Sequence, residues 1–502
     1  MSKLSDYLPP DFKPFVSSDA YKQKQRRLIS EKEQSQSVVF LHSVSEVFDA
    51  LNLHDGMTFS FHHHLRNGDK VIGLIGEEVH RRGLKDMTFA ASSLFPNHAS
   101  LVDLIKEGNV SGIIANYANG PVAKAISMGL LKKPFIMDTH GGRARAIESG
   151  DLMIDVAFIA SPAVDKAGNG TGRFGPSACG TLGYAIPDLH YAKKVVLISD
   201  YQMDHIEEAE LNHRYVDYVV MVDKIGDSEG IVSGTTKVTR DPVGRKIARD
   251  TVMVLDKLGL IKEGFSMQTG AGGISLAVVE YVKDLMIRQN IRARFASGGI
   301  TGQYVLMHEQ GLVETLYDVQ CFDLRAAKSY RENRRHVAIS ASEYGNPFEP
   351  SPIVDQLDFV VLGATEIDLN FNVNVTTDSL GEIIGGSGGH ADTAHGAKVT
   401  VVVTNLLKAR LPIIKEHVTT LTTPGSDIDI LVTERGIAVN PIRIDLMNQL
   451  KQKGIQIVKI EDLMQLSYQI AGVPKTLSHE KTIIGYVRYR DGSIIDVLYK
   501  KM

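Results

Sequence analysis

An α/β protein made of two related domains is the fold class that this 502-residue sequence predicts, on three observations. β-rich apolar runs such as VVLISD, FVVLG and KVTVVVTN alternate with amphipathic helical stretches such as VVEYVKDLMIRQ, the pattern of helices layered on largely parallel sheets. Four blocks of the first half then recur in the same order in the second, with offsets that drift by only a few residues. DGMTFSFHHHL from Asp55 matches EGFSMQTGAGG from Glu263, and FAASS from Phe89 matches FASGG from Phe295. IDVAFIASPAVDKAGN from Ile154 matches LDFVVLGATEIDLNFN from Leu357, and HYAKKVVLISD from His190 matches HGAKVTVVVTN from His395. Generic α/β periodicity explains the shared hydrophobic pattern but not the shared Asp155/Asp358, Asp165/Asp368 and Asn169/Asn372 positions. Third, Gly-rich stretches fall at corresponding strand-to-helix junctions. The expected organisation is a polar arm or leading helix over 1–36, a first domain over 37–235 and a second over 236–502. Each domain is expected to be an open, largely parallel sheet flanked by helices.

Composition narrows the function classes. With 43% hydrophobic residues the chain can fill several cores, and 55 basic against 59 acidic residues leave a net charge of -4, which argues against a nucleic-acid or anionic-membrane surface. No apolar run approaches the ~20 residues of a membrane span. The N-terminal MSKLSDYLPPDFKPF lacks the apolar stretch of a secretory leader, so the cytoplasm is the expected location. Cys179 and Cys321 have neither metal nor disulfide spacing.

Several local motifs are informative. GGSGGHADTAHGAK, Gly385 to Lys398, offers bare backbone before a helix, where free N–H groups favour negative charge; its first-half partner is GPSACGTLGYA, Gly175 to Ala185. Tight helix-to-sheet packing is the plainer explanation for either stretch. GAGGIS, Gly270 to Ser275, has Ser275 where a dinucleotide fingerprint needs its third glycine, and the acidic residue expected ~20 positions on is missing. Walker A sequences are absent. His62, His63 and His64 follow a strand, where neighbouring side chains face opposite ways, so one ion is not readily held by all three and no metal is expected. Recognition of carboxylates by His62, His64 and Arg66 fits better.

Taken together, THGGRARAIESGDLMIDVAFIASPAVDKAGNGTGRFGPSACGTLGYAIPDLHYAKKVVLISD, FASGGITG, ISASEYGNPFEP, GGSGGHADTAHGAK and LVTERGIAVNP resemble the citrate lyase α-subunit family, citrate:acetyl-acyl-carrier-protein transferases, over nearly the whole chain. More distantly, both halves are similar to the halves of CoA transferases, which implies two CoA-transferase-like domains with an active site between them. The resemblance further implies a citrate lyase complex with an acyl carrier (γ) and a citryl-lyase (β) subunit, and citrate and acetate as reactants. The thioester would be on the carrier's phosphoribosyl-dephospho-CoA group, with acetyl-CoA as an alternative donor. A homo-oligomer is expected; metal, nucleic acid and membrane are not.

One departure shapes the expected chemistry. Covalent CoA transferases have S-E-N-G-I-L-G at a turn where the glutamate attacks the thioester, whereas this chain reads Ser297-Gly298-Gly299-Ile300-Thr301-Gly302, one residue shorter and without a carboxylate. A ternary mechanism through a mixed anhydride is therefore expected. Its demands are positioning, which contributes several kcal/mol, and oxyanion stabilisation, at about 3 kcal/mol per well-aimed donor. Candidate catalytic residues are Ser297, Gly298, Gly299, Glu343 and Asn346. Gly385, Gly386, Gly388, Gly389, His390, Gly180 and Gly183 are candidates for the thioester or CoA, and His62, His64, Arg66, Arg143 and Arg173 for citrate. Glu434 is expected to support structure. Alternatives are a citramalate lyase α subunit, or a covalent CoA transferase or thioester hydrolase using Glu343. A sugar-phosphate isomerase and a non-catalytic scaffold subunit are more remote.

Overall fold

The computed structural model describes residues 8–23, 29–35, 37–232, 237–474 and 482–501. The expected boundary between residues 235 and 236, and part of the arm over 1–36, lie outside them.

The duplication is visible in strand order. In the second lobe the sheet runs His336–Ala338, Val313–Cys321, Ala293–Ile300, Phe265–Thr269, Phe359–Gly363, Val399–Val403, Ile430–Thr433, Gly436–Val439. The first lobe repeats this order over seven strands, Phe135–Met137, Val110–Ala115, Met87–Ala91, Thr58–Phe61, Val156–Ala160, Lys194–Ser199 and Tyr218–Met221, but its edge strand Val39–Leu41 comes from the start of the lobe instead of its end. Pairing is parallel throughout except for the antiparallel Gly436–Val439. Central strands covered on both faces read as continuous apolar runs, which is why FVVLG and VVLIS carry no polar alternation. Phe59, Phe61, Phe89 and Phe158 pack together at the centre of the first lobe, with ring centroids 4.8 to 6.2 Å apart.

The repeated polar residues have repeated structural roles. Asp155 Oδ2 accepts from Thr58 N at 2.8 Å and Asp358 Oδ2 from Ser266 N at 2.9 Å; each also pairs with a lysine, Lys193 and Lys398. Asp165 Oδ1 accepts from the backbone N–H of Ala167 and Asn169, as Asp368 Oδ1 does from Asn370 and Asn372. These carboxylates close tight Asx-type loops that no apolar side chain could satisfy.

One feature departs from the expected division of the chain. The C-terminal hairpin, Ile483–Arg488 and Ile494–Tyr499, pairs with Phe135–Met137 and extends the first sheet, so residues 236–502 do not all belong with the second one. The hairpin also ties the lobes. Arg488 holds Asp138 of the first lobe through Nε at 2.8 Å and through Nη2, and Tyr489 Oη donates to Asp427 of the second at 2.7 Å. Arg490 is fully buried, donates to Gly345 O at 3.0 Å and lies 3.5 Å from Asp392.

Gly180 and Gly183 mark close approach of the lobes. A Cβ at Gly180, whose φ is +87°, would sit 2.2 Å from Cys321 Sγ; one at Gly183 would sit 2.2 Å from Ile339 O. Because the latter obstacle is backbone of the other lobe, Gly183→Ala is expected to lower stability by about 1–3 kcal/mol, read as a fall in urea midpoint. An unchanged midpoint would show that the lobes do not rest on this contact.

Candidate functional site

A cavity of about 410 Å³ opens between the lobes. The first lobe contributes His63, Arg66, Ser93, Phe95, Tyr117, His140 and Tyr184; the second contributes Gln268 to Gly272, Gly299, Gln320, Phe322, Tyr344 and the Gly386–His390 loop. None of its described lining residues is Asp or Glu.

The glycine loop is laced to the opposite lobe. Gly388 N donates to Asn116 O at 3.0 Å, His140 N donates to Gly388 O at 2.8 Å, and Ala118 N donates to Gly385 O at 3.1 Å. A Cβ at Gly386 would lie 2.3 Å from Asn116 O, so bare backbone is a packing requirement here as well as a cavity wall. Immediately after this loop, Asp392 accepts from Thr139 Oγ1 and Gly141 N, both at 2.9 Å, at the start of the first-lobe helix His140–Glu148. Gln320 Nε2 completes the lacing by donating to His63 O at 2.8 Å.

Arg66 is the cationic side chain of the cavity wall. Its backbone has φ +51°, unusual for a residue with a Cβ, and its guanidinium lies 4.5 Å from the ring centre of Phe322 and 5.6 Å from that of Phe95, one ring from each lobe. Such stacking fixes the plane of the guanidinium, the condition for paired contact with a carboxylate. Beside it, His63 stacks on Tyr184 at 4.6 Å and its Nδ1 lies 2.5 Å from Ser92 Oγ; His140 packs on the same ring at 4.4 Å. Burial holds the imidazoles neutral: His63 falls well below its ordinary value, His390 to about 4, and His140 to about 3, with Arg143's charge adding to the last. His140 Nδ1, Gln268 Oε1 and Ser387 Oγ, all on cavity-lining residues, are buried without a hydrogen-bond partner among the described residues. Buried polar atoms are rarely left so, and a polar ligand can satisfy them.

Of the sequence candidates, Arg66, Gly299, Gly386, Gly388, Gly389 and His390 line this cavity, and the others do not. His62 and Arg143 turn away to Asp188: His62 Nε2 lies 2.9 Å from Oδ2, and Arg143 donates to both carboxylate oxygens at 2.8 Å. Burial opposes the charge on Asp188, but Arg143 and His62 outweigh it and hold the carboxyl low. His64 is buried behind Tyr184, whose backbone N–H lies 3.4 Å from its Nε2. Arg173 pairs with Glu208 at 2.8 Å and covers Tyr330. Ser297 is a buried strand residue, Gly298 has a φ of +106° where the pairing register with the neighbouring strand shifts, and Gly385 packs on Val375 O. Gly180 and Gly183 serve the lobe contact described above.

Glu343 is an exposed residue whose Oε2 accepts from Ser340 N at 2.7 Å while its own N–H donates to Ser340 Oγ at 3.0 Å, a reciprocal helix cap. Asn346 is a buried strut to Glu148 at 2.8 Å. Glu434 supports a loop by accepting from Leu406 N at 2.9 Å. The residues missed were His63, His140, Tyr184, Gln268, Gln320, Phe322 and Ser387. His63 had one sequence signal, its place between His62 and His64 on the opposite alternation.

Fold and cavity thus define a duplicated α/β protein with a polar chamber between its lobes whose described lining residues include no carboxylate. The chain belongs to the citrate lyase α-subunit family: the family "Citrate lyase, alpha subunit (CitF)" matches residues 37–501. It is 44% identical to the citrate lyase alpha chain of Escherichia coli (strain K12), covering 91% of this chain and 90% of that one. It is 42% identical to that of Klebsiella pneumoniae, covering 98% and 96%. A crystal structure of a Streptococcus mutans chain, described as the α subunit of citrate lyase in complex with citrate, superposes with a TM-score of 0.91 at 40% identity, covering 97% of this chain and 99% of that one. A Pseudomonas malonate decarboxylase structure (TM-score 0.64, 16% identity, covering 87% and 92%) shares the fold.

Because the His140 pKa is depressed, the unfolded chain binds a proton there below pH ~6.5 that the folded chain refuses until pH ~3. Stability contributed by neutral His140 is therefore lost as pH falls through this window, by about 2 kcal/mol at pH 5. His140→Asn should lose that much less stability than the parent between pH 7 and pH 5 in denaturant titrations; equal losses would contradict the assignment.

Proposed function

We propose that this chain exchanges acetyl for citryl on the thioester of an acyl carrier protein, as the transferase subunit of a citrate lyase complex. The single observation that carries this reading is the cavity wall itself, with a stacked arginine, unpartnered polar groups and no acidic side chain among its described residues. Relatives named citrate lyase alpha chain and a homologue bound to citrate support the substrate.

In this mechanism a citrate carboxylate oxygen attacks the acetyl thioester carbonyl. The tetrahedral oxyanion collapses with departure of the thiolate, leaving a mixed acetyl–citryl anhydride; the thiolate then attacks the citryl carbonyl and releases acetate. Arg66 would hold a citrate carboxylate bidentately, while His140 Nδ1, Ser387 Oγ and Gln268 Oε1 would meet its remaining polar groups. Main-chain N–H groups of Gly299 and the Gly386–Gly389 loop are the candidates for stabilising the oxyanion. With Glu343 exposed and engaged in its cap, a glutamyl intermediate has no residue to form on among the described residues of the cavity wall. The carrier's phosphoribosyl-dephospho-CoA group, or acetyl-CoA in its place, is the proposed thioester. The γ and β partners, a homo-oligomeric assembly and a cytoplasmic location belong to the same proposal; among the described residues no helix is long and apolar enough to cross a membrane.

Initial rates with citrate and acetyl thioester varied together should give intersecting double-reciprocal lines. Parallel lines, or a glutamate trapped by hydroxylamine, would replace this mechanism with a covalent relay. Arg66→Met should raise the citrate KM by about 10- to 100-fold, the equivalent of a charge-assisted contact worth ~1.5–3 kcal/mol.

A further inference from the structure

Beneath the cavity lies a polar cluster that contacts none of its space. Asp318 is fully buried. Its Oδ1 accepts from Ile300 N at 3.2 Å and from Gln320 N at 3.0 Å. Its Oδ2 accepts from Cys321 Sγ at 2.9 Å and lies 2.9 Å from His336 Nε2, while His336 Nδ1 is 3.1 Å from Ser329 Oγ. Burial and the adjacent Asp318 push the Cys321 thiol well above its ordinary value, so the sulfur stays protonated and is a donor.

The two backbone N–H groups held by Asp318 flank the features that matter above. Ile300 follows Gly299, where the register shifts: consecutive Gly298 and Gly299 face Asp318 and Gln320, so the strand Val313–Cys321 carries one extra residue, Val319. The extra residue lies between Asp318 and Gln320, and the Gln320 side chain crosses to His63 O of the other lobe. Gly299 and Gln320 both line the cavity. A bulge leaves ladder groups unpaired and re-aims the strand, and here one carboxylate takes up N–H groups on both strands.

We infer that Asp318, held by Cys321 and His336, is a positioning residue that fixes the register shift at Gly299 and the Gln320 arm for the acyl exchange. The inference rests on the function proposed above. Nothing in a packing role alone calls for this group, since burying a carboxylate is costly unless its hydrogen bonds are needed in place. Ligand atoms of Asp318, Cys321 and His336 lie within 4.8 Å of one another, which raises the question of a metal ion. The 2.9 Å contacts from Asp318 to sulfur and nitrogen are direct hydrogen-bond distances, shorter than the about 3.3–3.7 Å edges of a tetrahedral zinc site with ~2.0–2.3 Å bonds. The cluster is therefore read as proton-held.

The test compares Asp318→Asn, Cys321→Ser and Cys321→Ala in the full chain assembled with its carrier protein, measuring exchange kinetics, citrate binding by calorimetry and zinc content. Asp318→Asn should lower kcat about 10²-fold, the scale of a small displacement of reacting groups, with the citrate Kd changed less than about threefold. Cys321→Ser keeps a donor to Asp318 and should keep most activity, whereas Cys321→Ala should lose it about tenfold, on the scale of one hydrogen bond. An Asp318→Asn chain with parental kcat, or equal activity in Cys321→Ser and Cys321→Ala, overturns the inference, and the second comparison stands even where Asp318→Asn does not fold. One zinc per chain, lost in these variants, overturns it too. If the parent chain binds citrate but exchanges nothing, the proposed reaction fails and this inference with it. If the parent exchanges and Asp318→Asn matches it, this inference fails alone.

Discussion

Everything at the cavity depends on how one buried carboxylate is shared between the lobes. Asp392 sits in the second lobe, yet its two oxygens accept from Thr139 and Gly141 at the N-terminus of a first-lobe helix, where free N–H groups and the helix dipole favour negative charge. Burial pushes its carboxyl up to about 6 in spite of Arg490, so the ion is held against a real desolvation penalty. The reward is geometric. The same helix begins with His140, whose backbone N–H reaches Gly388 O, and so the glycine loop and the histidine wall are set relative to each other by adjoining bonds.

Arg490 gives the crossing hairpin a role between the lobes. Fully buried among Asp392, Gly345 O and Tyr21, it arrives on a hairpin that has crossed back to extend the first sheet. The hairpin therefore acts as a clasp: Arg488 grips the first lobe, Tyr489 the second, and Arg490 neutralises the carboxylate between them.

Duplication also explains the division of labour at the cavity. Equivalent strand ends of the two lobes, His62–Arg66 after Thr58–Phe61 and Gly270–Gly272 after Phe265–Thr269, both border the chamber, but one supplies side chains and the other bare backbone. The proposed exchange, which must hold an anion and admit a chain-like thioester, draws on both, because fixed charge and close approach come from different residue types.

Much of this was legible in the sequence. Recurring Asp165/Asp368 and Asn169/Asn372 announced the two lobes, because turn and loop closure by side-chain oxygens is local and tied to residue type, while Asp155/Asp358 recur because each ties equivalent strands of its lobe. Glycine at 299, 386, 388 and 389, and the absence of a carboxylate in SGGITG, were likewise local facts. Which charged residues face the cavity was not local. Arg143 and His62 read as citrate ligands until Asp188, far along the chain, is seen to occupy them; Glu343 reads as a nucleophile until Ser340 closes its cap. The crossing of residues 483–499 to the first sheet, too, leaves no mark on the amphipathic pattern of that segment, because a strand has the same period in either sheet. Periodicity and turn chemistry are written residue by residue, whereas the pairing of buried charges is settled only when distant segments compete for the same partner.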